Sequence, residues 1–127
     1  MIDMNILVIE DELLIQKSLK KLLEKKGATV DVCASGKEAI EKILSTNFDR
    51  IVCDLMLQDI SGFDVLEESK ERFSIDEIGD KVIIITAYSS AQVLERATQY
   101  GCLVLSKPFE NLNNAIEIFI KGKESAQ

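Results

Sequence analysis

The chain has 127 residues, 46% apolar and 29% charged, the make-up of a single globular domain large enough to bury its own core. Its 22 acidic residues outnumber 15 basic ones for a net charge of −7, and no block of Lys or Arg interrupts that excess, which argues against direct binding to a nucleic-acid backbone. Histidine is absent, so the commonest general base and transition-metal ligand are both missing, and chemistry must rest on carboxylates, hydroxyls and lysine.

The N-terminal "MIDMNILVIEDE" has neither a basic leader nor a small-residue cleavage site. No apolar run approaches the roughly 18 residues needed to span a bilayer, so a cytoplasmic protein without membrane contact is expected. The first predicted strand is "NILVI" (5–9), followed by a helix over 14–27 with Ile15, Leu19, Leu22 and Leu23 on one stripe and Gly27 as its stop. A second strand at 28–32 and a helix at 35–45 follow, then a strand "RIVCD" at 50–54 and a helix at 61–73. Strands at 81–86 and 102–106 enclose a helix at 89–101, and the last helix covers 110–122. The middle three helices each open near a serine that can serve as N-cap. Residues 122–127 read as a frayed tail beyond a core of about 4–121, so that 1–127 form one domain. Cys33, Cys53 and Cys102 are widely spaced, with no CxxC pair and no histidine, and read as small buried hydrophobes.

Strict alternation of β-branched strands with helices predicts an α/β fold: a five-stranded parallel sheet of order 2-1-3-4-5 in a flavodoxin-like (βα)5 sandwich, with helices on both faces. Sites in such sheets form beyond the carboxyl ends of the strands. There the sequence places Glu10, Asp11 and Glu12 after the first strand, Asp54 at the end of the third, Thr86 at the end of the fourth, and Lys107 and Pro108 after the fifth. Neighbouring strands 1 and 3 bring Asp11 within a few ångströms of Asp54. Clustered carboxylates repel unless a cation sits among them, and an oxygen-only donor set favours Mg²⁺. A carboxylate beside Mg²⁺ and an ammonium group is also a competent nucleophile toward phosphorus. Taken singly, these residues have plainer readings: "EDE" as a helix N-terminus, Asp54 as a turn cap, Gly62 as a turn residue.

Four motifs in order, "VIEDE", "DLMLQDISG" with Asp54 eight residues before Gly62, "IIITA" and "SKPF", resemble the receiver domain of two-component response regulators over nearly the whole chain. The resemblance implies that Asp54 accepts a phosphoryl group from a phosphohistidine on a histidine kinase or histidine phosphotransfer protein. It implies Mg²⁺ held by Asp11, Asp54, the Met56 carbonyl and, through water, Glu10. Thr86 would bond a phosphoryl oxygen and Lys107 would pair with the modified carboxylate, after a Lys107–Pro108 bond that is usually cis. Ala87, Tyr88, Val104 and Pro108 fall at switch or tuning positions, with Met56 and Tyr88 flanking the path of attacking water. Leu13 and Leu14 match the surface that docks the donor's helical bundle, although they can equally pack beneath the following loop. Such a domain catalyses its own phosphorylation and dephosphorylation and then changes partners, rather than turning over a substrate.

Three departures from the family pattern stand out. Leu57 replaces the usual proline, Val104 replaces the usual switch aromatic, and "FSIDEIGD" reads as an insertion in a surface loop. Val104 offers only methyl groups to move, and with Leu57 it keeps open a pseudo-receiver, a constitutive protein-interaction module. A phosphohydrolase with an aspartyl nucleophile would need a second aspartate two residues after Asp54, where Met56 stands. No output domain is encoded in the 127 residues, so the chain acts through an unknown downstream partner, as a phosphorelay shuttle, or as part of a longer protein.

Overall fold

The computed structural model describes residues 2–126 and shows the expected layering. Five strands, β1 Asn5–Ile9, β2 Thr29–Cys33, β3 Arg50–Asp54, β4 Val82–Thr86 and β5 Leu103–Ser106, form one parallel sheet of order β2-β1-β3-β4-β5. β2 begins one residue later than predicted, because the Ala28 N–H bonds the Leu23 carbonyl and closes the preceding helix, while Cys33 pairs with Ile9.

Helices α1 Leu13–Lys25 and α6 Leu112–Lys121 cover one face, burying Leu19, Leu23, Ile116 and Phe119 against Ile6, Val8, Val52 and Ile83. The other face carries α2 Gly36–Ser45, α3 Gly62–Ser69, α4 Ile75–Lys81 and α5 Ala91–Tyr100, with Ile43, Leu66, Ile78 and Ala97 packed on Leu7, Ile9, Cys53 and Ile84. Alternate strand residues thus feed two cores, which is why the strands read as continuous apolar runs. Ser35, Ser61 and Ser90 each accept a backbone N–H at a helix N-terminus, as their positions suggested.

The stretch expected as a loop insertion is the helix α4. Ser74 and Glu77 form a reciprocal capping box, Ile78 is buried, and Gly79 lies against the Tyr100 and Gly101 carbonyls, so the segment is part of the core layer. Residues Gly122–Ala126, expected as part of a frayed tail, form a short 3-10 helix after α6; Gln127 lies outside the described residues. Lys123 pairs with Asp80 at 3.2 Å. Nearby, the buried Arg50 guanidinium donates to the carbonyls of Phe119 and Asp80, gathering the carboxyl ends of α6 and α4 beneath β3. No helix among the described residues is long and apolar enough to cross a membrane.

Candidate functional site

β1 and β3 run side by side with Ile9 opposite Cys53, so the residues at their carboxyl ends emerge together. Carboxylate oxygens of Glu10, Asp11 and Asp54 lie within 4.8 Å of one another. Glu10 is fully buried and Asp54 nearly so, whereas Asp11 is half-buried. Lys107 supplies the counter-charge: its ammonium donates to Glu10 Oε1 and to Asp54 Oδ2, each at 2.8 Å, and stands 3.6 Å from Glu12 Oε1. The second oxygens are also engaged, Glu10 Oε2 by the Glu12 N–H at 3.2 Å and Asp54 Oδ1 by the Met56 N–H at 3.0 Å. Asp11 receives no hydrogen bond among the described residues and is the open oxygen donor of the cluster.

Burial pushes the Glu10 carboxyl up to about 7; the Lys107 hydrogen bond opposes this rise and Asp54 adds to it. For Lys107, burial favours loss of the proton, but hydrogen bonds to Asp54 and Glu10 outweigh it and hold the ammonium above the ordinary lysine range. One ammonium therefore serves two buried carboxylates with a third acid beside them. The site is short of positive charge, and its donors are all oxygen, so it fits a hard divalent cation such as Mg²⁺.

The third-strand loop is pinned where the family's proline would stiffen it. Asp59 accepts the Gly36 and Lys37 N–H groups at 2.9 Å each, capping α2 and holding its own carboxyl below the usual range. Leu57 packs on the core, and Gly62 N–H bonds the Leu55 carbonyl at 3.0 Å. A Cβ on Gly62 would stand 2.6 Å from the Asp54 carbonyl oxygen, so the glycine is needed for the close approach of α3 to the end of β3 and does more than make a turn. Gln16, buried on α1, donates from Nε2 to the Glu10 carbonyl at 2.9 Å and braces the backbone that carries both acids. Asp59 and Gln16 carry no sequence signal of these roles beyond being polar residues near the motifs.

Thr86 is fully buried at the end of β4, but its hydroxyl is engaged away from Asp54: it donates to the Tyr88 carbonyl and accepts the Tyr88 N–H, both at 3.1 Å. Met56 and Tyr88 are 63% and 66% exposed and border a cavity of about 360 Å³ that Leu55, Phe63, Val93 and Thr86 also line. Ala87 and Pro108 are exposed, and the Lys107–Pro108 bond is cis. Val104 is half-buried against the α5 side of the core. Cys53 is wholly buried in that core, where burial drives its thiol far above the ordinary range, consistent with packing alone. Glu10, Asp11, Asp54 and Lys107 are thus brought together, while Thr86 shares the edge with its hydroxyl committed to the neighbouring loop.

The model of the response regulator receiver domain matches residues 6–117. The chain belongs to that family. It is 34% identical over 107 residues to the response regulator ArlR of Staphylococcus haemolyticus, covering 84% of this chain and 47% of that protein, and it spans about half or less of the length of such curated relatives. Among solved structures, a CheY-like receiver domain protein from Methanospirillum hungatei superposes with a TM-score of 0.81 at 28% identity, covering 97% of this chain and 96% of that one. A response regulator from Burkholderia pseudomallei, described with a phosphorylated aspartic acid, calcium ion and citrate, does so with a TM-score of 0.79 at 26% identity, covering 98% of this chain and 70% of that one.

Proposed function

We propose that this receiver domain accepts a phosphoryl group on Asp54 from a phosphohistidine of a sensor kinase or phosphotransfer protein and changes its partners as a result. The observation that carries the reading is the Lys107 ammonium held at 2.8 Å from both Glu10 and Asp54, with Asp11 unengaged beside them. The phosphorylated aspartic acid of the Burkholderia relative supports it.

In the reaction, an Asp54 carboxylate oxygen forms a bond to phosphorus while the phosphorus–nitrogen bond of the donor breaks. The electron pair leaves with the imidazole nitrogen, which takes up a proton from solvent, giving an acyl phosphate and a neutral histidine. Lys107 pairs with the Asp54 carboxylate and is placed to neutralise the oxygens of the arriving group. A Mg²⁺ held by Asp11, Asp54, the Met56 carbonyl and, through water, Glu10 would add positive charge where the phosphoryl oxygens gather. Thr86 must turn from Tyr88 to reach a phosphoryl oxygen. That rotation releases two hydrogen bonds to the loop carrying Tyr88, which couples the modification to an exposed surface without needing an aromatic at position 104.

Intact mass after incubation with phosphoramidate, with and without Mg²⁺, tests the reading against Asp54→Asn. The expected result is one added phosphoryl group that requires both Mg²⁺ and Asp54. A folded chain that binds Mg²⁺ and gains no mass would favour the pseudo-receiver, a constitutive interaction module.

A further inference from the structure

Among the described residues Tyr88 is the one aromatic that stands mainly in solvent, 66% exposed. Phe63 stacks with Tyr100 at 6.1 Å between ring centroids and Phe109 meets Phe119 edge to face at 6.0 Å, but the Tyr88 ring meets no other ring. Its backbone, by contrast, is held firmly. The Thr86 hydroxyl binds both the carbonyl and the N–H of Tyr88 at 3.1 Å. Ser89 adds only a hydroxyl contact with Ser106 Oγ at 3.4 Å, and Ser90 already caps α5. The segment from Ala87 to Ser89 thus hangs between two fixed ends, with the Thr86 hydroxyl as its main tie.

Beside the ring lies the open cavity of about 360 Å³, larger than a phenol ring. Its apolar walls are Leu55 and Phe63, both buried, and the half-buried Val93, while the exposed Gln92 stands at the rim with a side-chain amide that can receive the phenol hydroxyl. An aromatic ring left in water next to an unfilled apolar cavity is unfavourable, because moving it in would remove apolar surface from water and add contacts along the walls. What keeps it out is the tie that fixes the backbone carrying the ring. Val104 does not line the cavity and carries only methyl groups.

We infer that Tyr88 is a latch: Thr86 holds it outside the cavity, and once the Thr86 hydroxyl turns away the ring folds in against Leu55, Phe63 and Val93. The trigger rests on the proposed function, in which a phosphoryl group on Asp54 draws that hydroxyl. The tie and the receiving cavity stand on the geometry alone. Entry of the ring withdraws the one exposed aromatic from the surface, so a partner that grips Tyr88 is released by phosphorylation. It also occupies the space beside Thr86 and so favours the turned hydroxyl, making the two movements mutually supporting.

The chain has two tyrosines, so 3-fluorotyrosine labelling gives two ¹⁹F resonances, which Tyr100→Phe assigns. Relaxation by a soluble nitroxide then reads the exposure of the Tyr88 ring. After incubation with phosphoramidate and Mg²⁺ that relaxation should fall at least about threefold, as a ring now 66% exposed becomes mostly buried. Thr86→Val, which keeps the volume and removes both hydrogen bonds, should lower it without phosphoramidate, whereas Thr86→Ser keeps the hydroxyl and should leave the ring exposed. Val93→Phe fills the cavity from its wall and should hold Tyr88 in solvent even in chains whose mass shows the added phosphoryl group. Equal exposure of Tyr88 in native, phosphorylated and Thr86→Val chains overturns the inference. So does protection of the ring that survives Val93→Phe, since it would then bury elsewhere. Failure of phosphoramidate to modify Asp54 would instead sink the proposed function, and the Thr86→Val and Val93→Phe spectra would still decide the latch.

Discussion

Asp11 sits in a cluster whose electrostatics oppose folding, since the one ammonium bonds Glu10 and Asp54 while Asp11 beside them takes no hydrogen bond. Replacing it by asparagine removes repulsion at no cost in bonds. The Asp11→Asn variant is expected to melt a few degrees higher than the native chain without Mg²⁺, a gain of about 0.5–1 kcal/mol, and to gain less from added Mg²⁺. A lower melting temperature in metal-free buffer would show that Asp11 is held by contacts stronger than the repulsion. Gln16 makes the converse case. Gln16→Met keeps the volume but leaves the Glu10 carbonyl without its donor, costing about 1–3 kcal/mol. Mg²⁺ affinity should also fall several-fold, because the same backbone aims Glu10 and Asp11; a stability loss with an unchanged Mg²⁺ midpoint would reduce Gln16 to a structural brace. The four site residues were legible because strand ends fix their positions to within a residue. Gln16 and Asp59 were not, because their roles depend on which backbone group a polar side chain meets in three dimensions.

At the level of elements, the strands and five of the helices were readable from periodicity, since both sheet faces are covered and the three central strands, β1, β3 and β4, carry continuous apolar runs. α4 was missed, and its signal was local: Ser74 and Glu77 stand at capping-box spacing, with Ile75 and Ile78 three apart, in a segment too short for a helical period to register. The expectation of a loop came from length alone. The structure makes the helix a packed element, and Gly79 tests this because two effects of one substitution oppose each other. Gly79→Ala should gain up to about 1 kcal/mol from helix propensity. Its new Cβ would stand 2.6 Å from the Tyr100 carbonyl oxygen, a backbone atom fixed at the end of α5, and overpacking of that kind costs about 1–3 kcal/mol. The clash should win, lowering the urea midpoint. An unchanged or higher midpoint would mean that α4 moves freely over α5, as a surface insertion would.

Over the whole molecule, the two covered faces that make the sheet legible also set its tolerance of alkali. Burial pushes the thiols of Cys33 and Cys102 from 9.0 up to about 12, and that of Cys53 higher still. Burial, with the Glu67 carboxylate beside it, raises the Tyr100 hydroxyl from 10.0 to about 12. All four groups are acids whose folded-state values are raised, so the fold keeps protons that the unfolded chain releases. Their contribution is complete below pH 9 and is lost as the pH rises toward the folded values near 12. Each proton is worth about 1.4 kcal/mol per pH unit, so three thiols alone give a slope of roughly 4 kcal/mol per unit above pH 9. Against a typical domain stability of about 5–15 kcal/mol, that slope exhausts the fold within about one to four units. Circular dichroism under reducing conditions should therefore show cooperative unfolding near pH 11. Cys102→Ala removes one titrating thiol at the edge of the core and should make the alkaline slope shallower by about 1.4 kcal/mol per unit, even though its stability at pH 7 is lower. An unaltered slope would mean that the thiol already reaches solvent in the folded chain, and that the α5 side of the sheet is more open than its packing indicates.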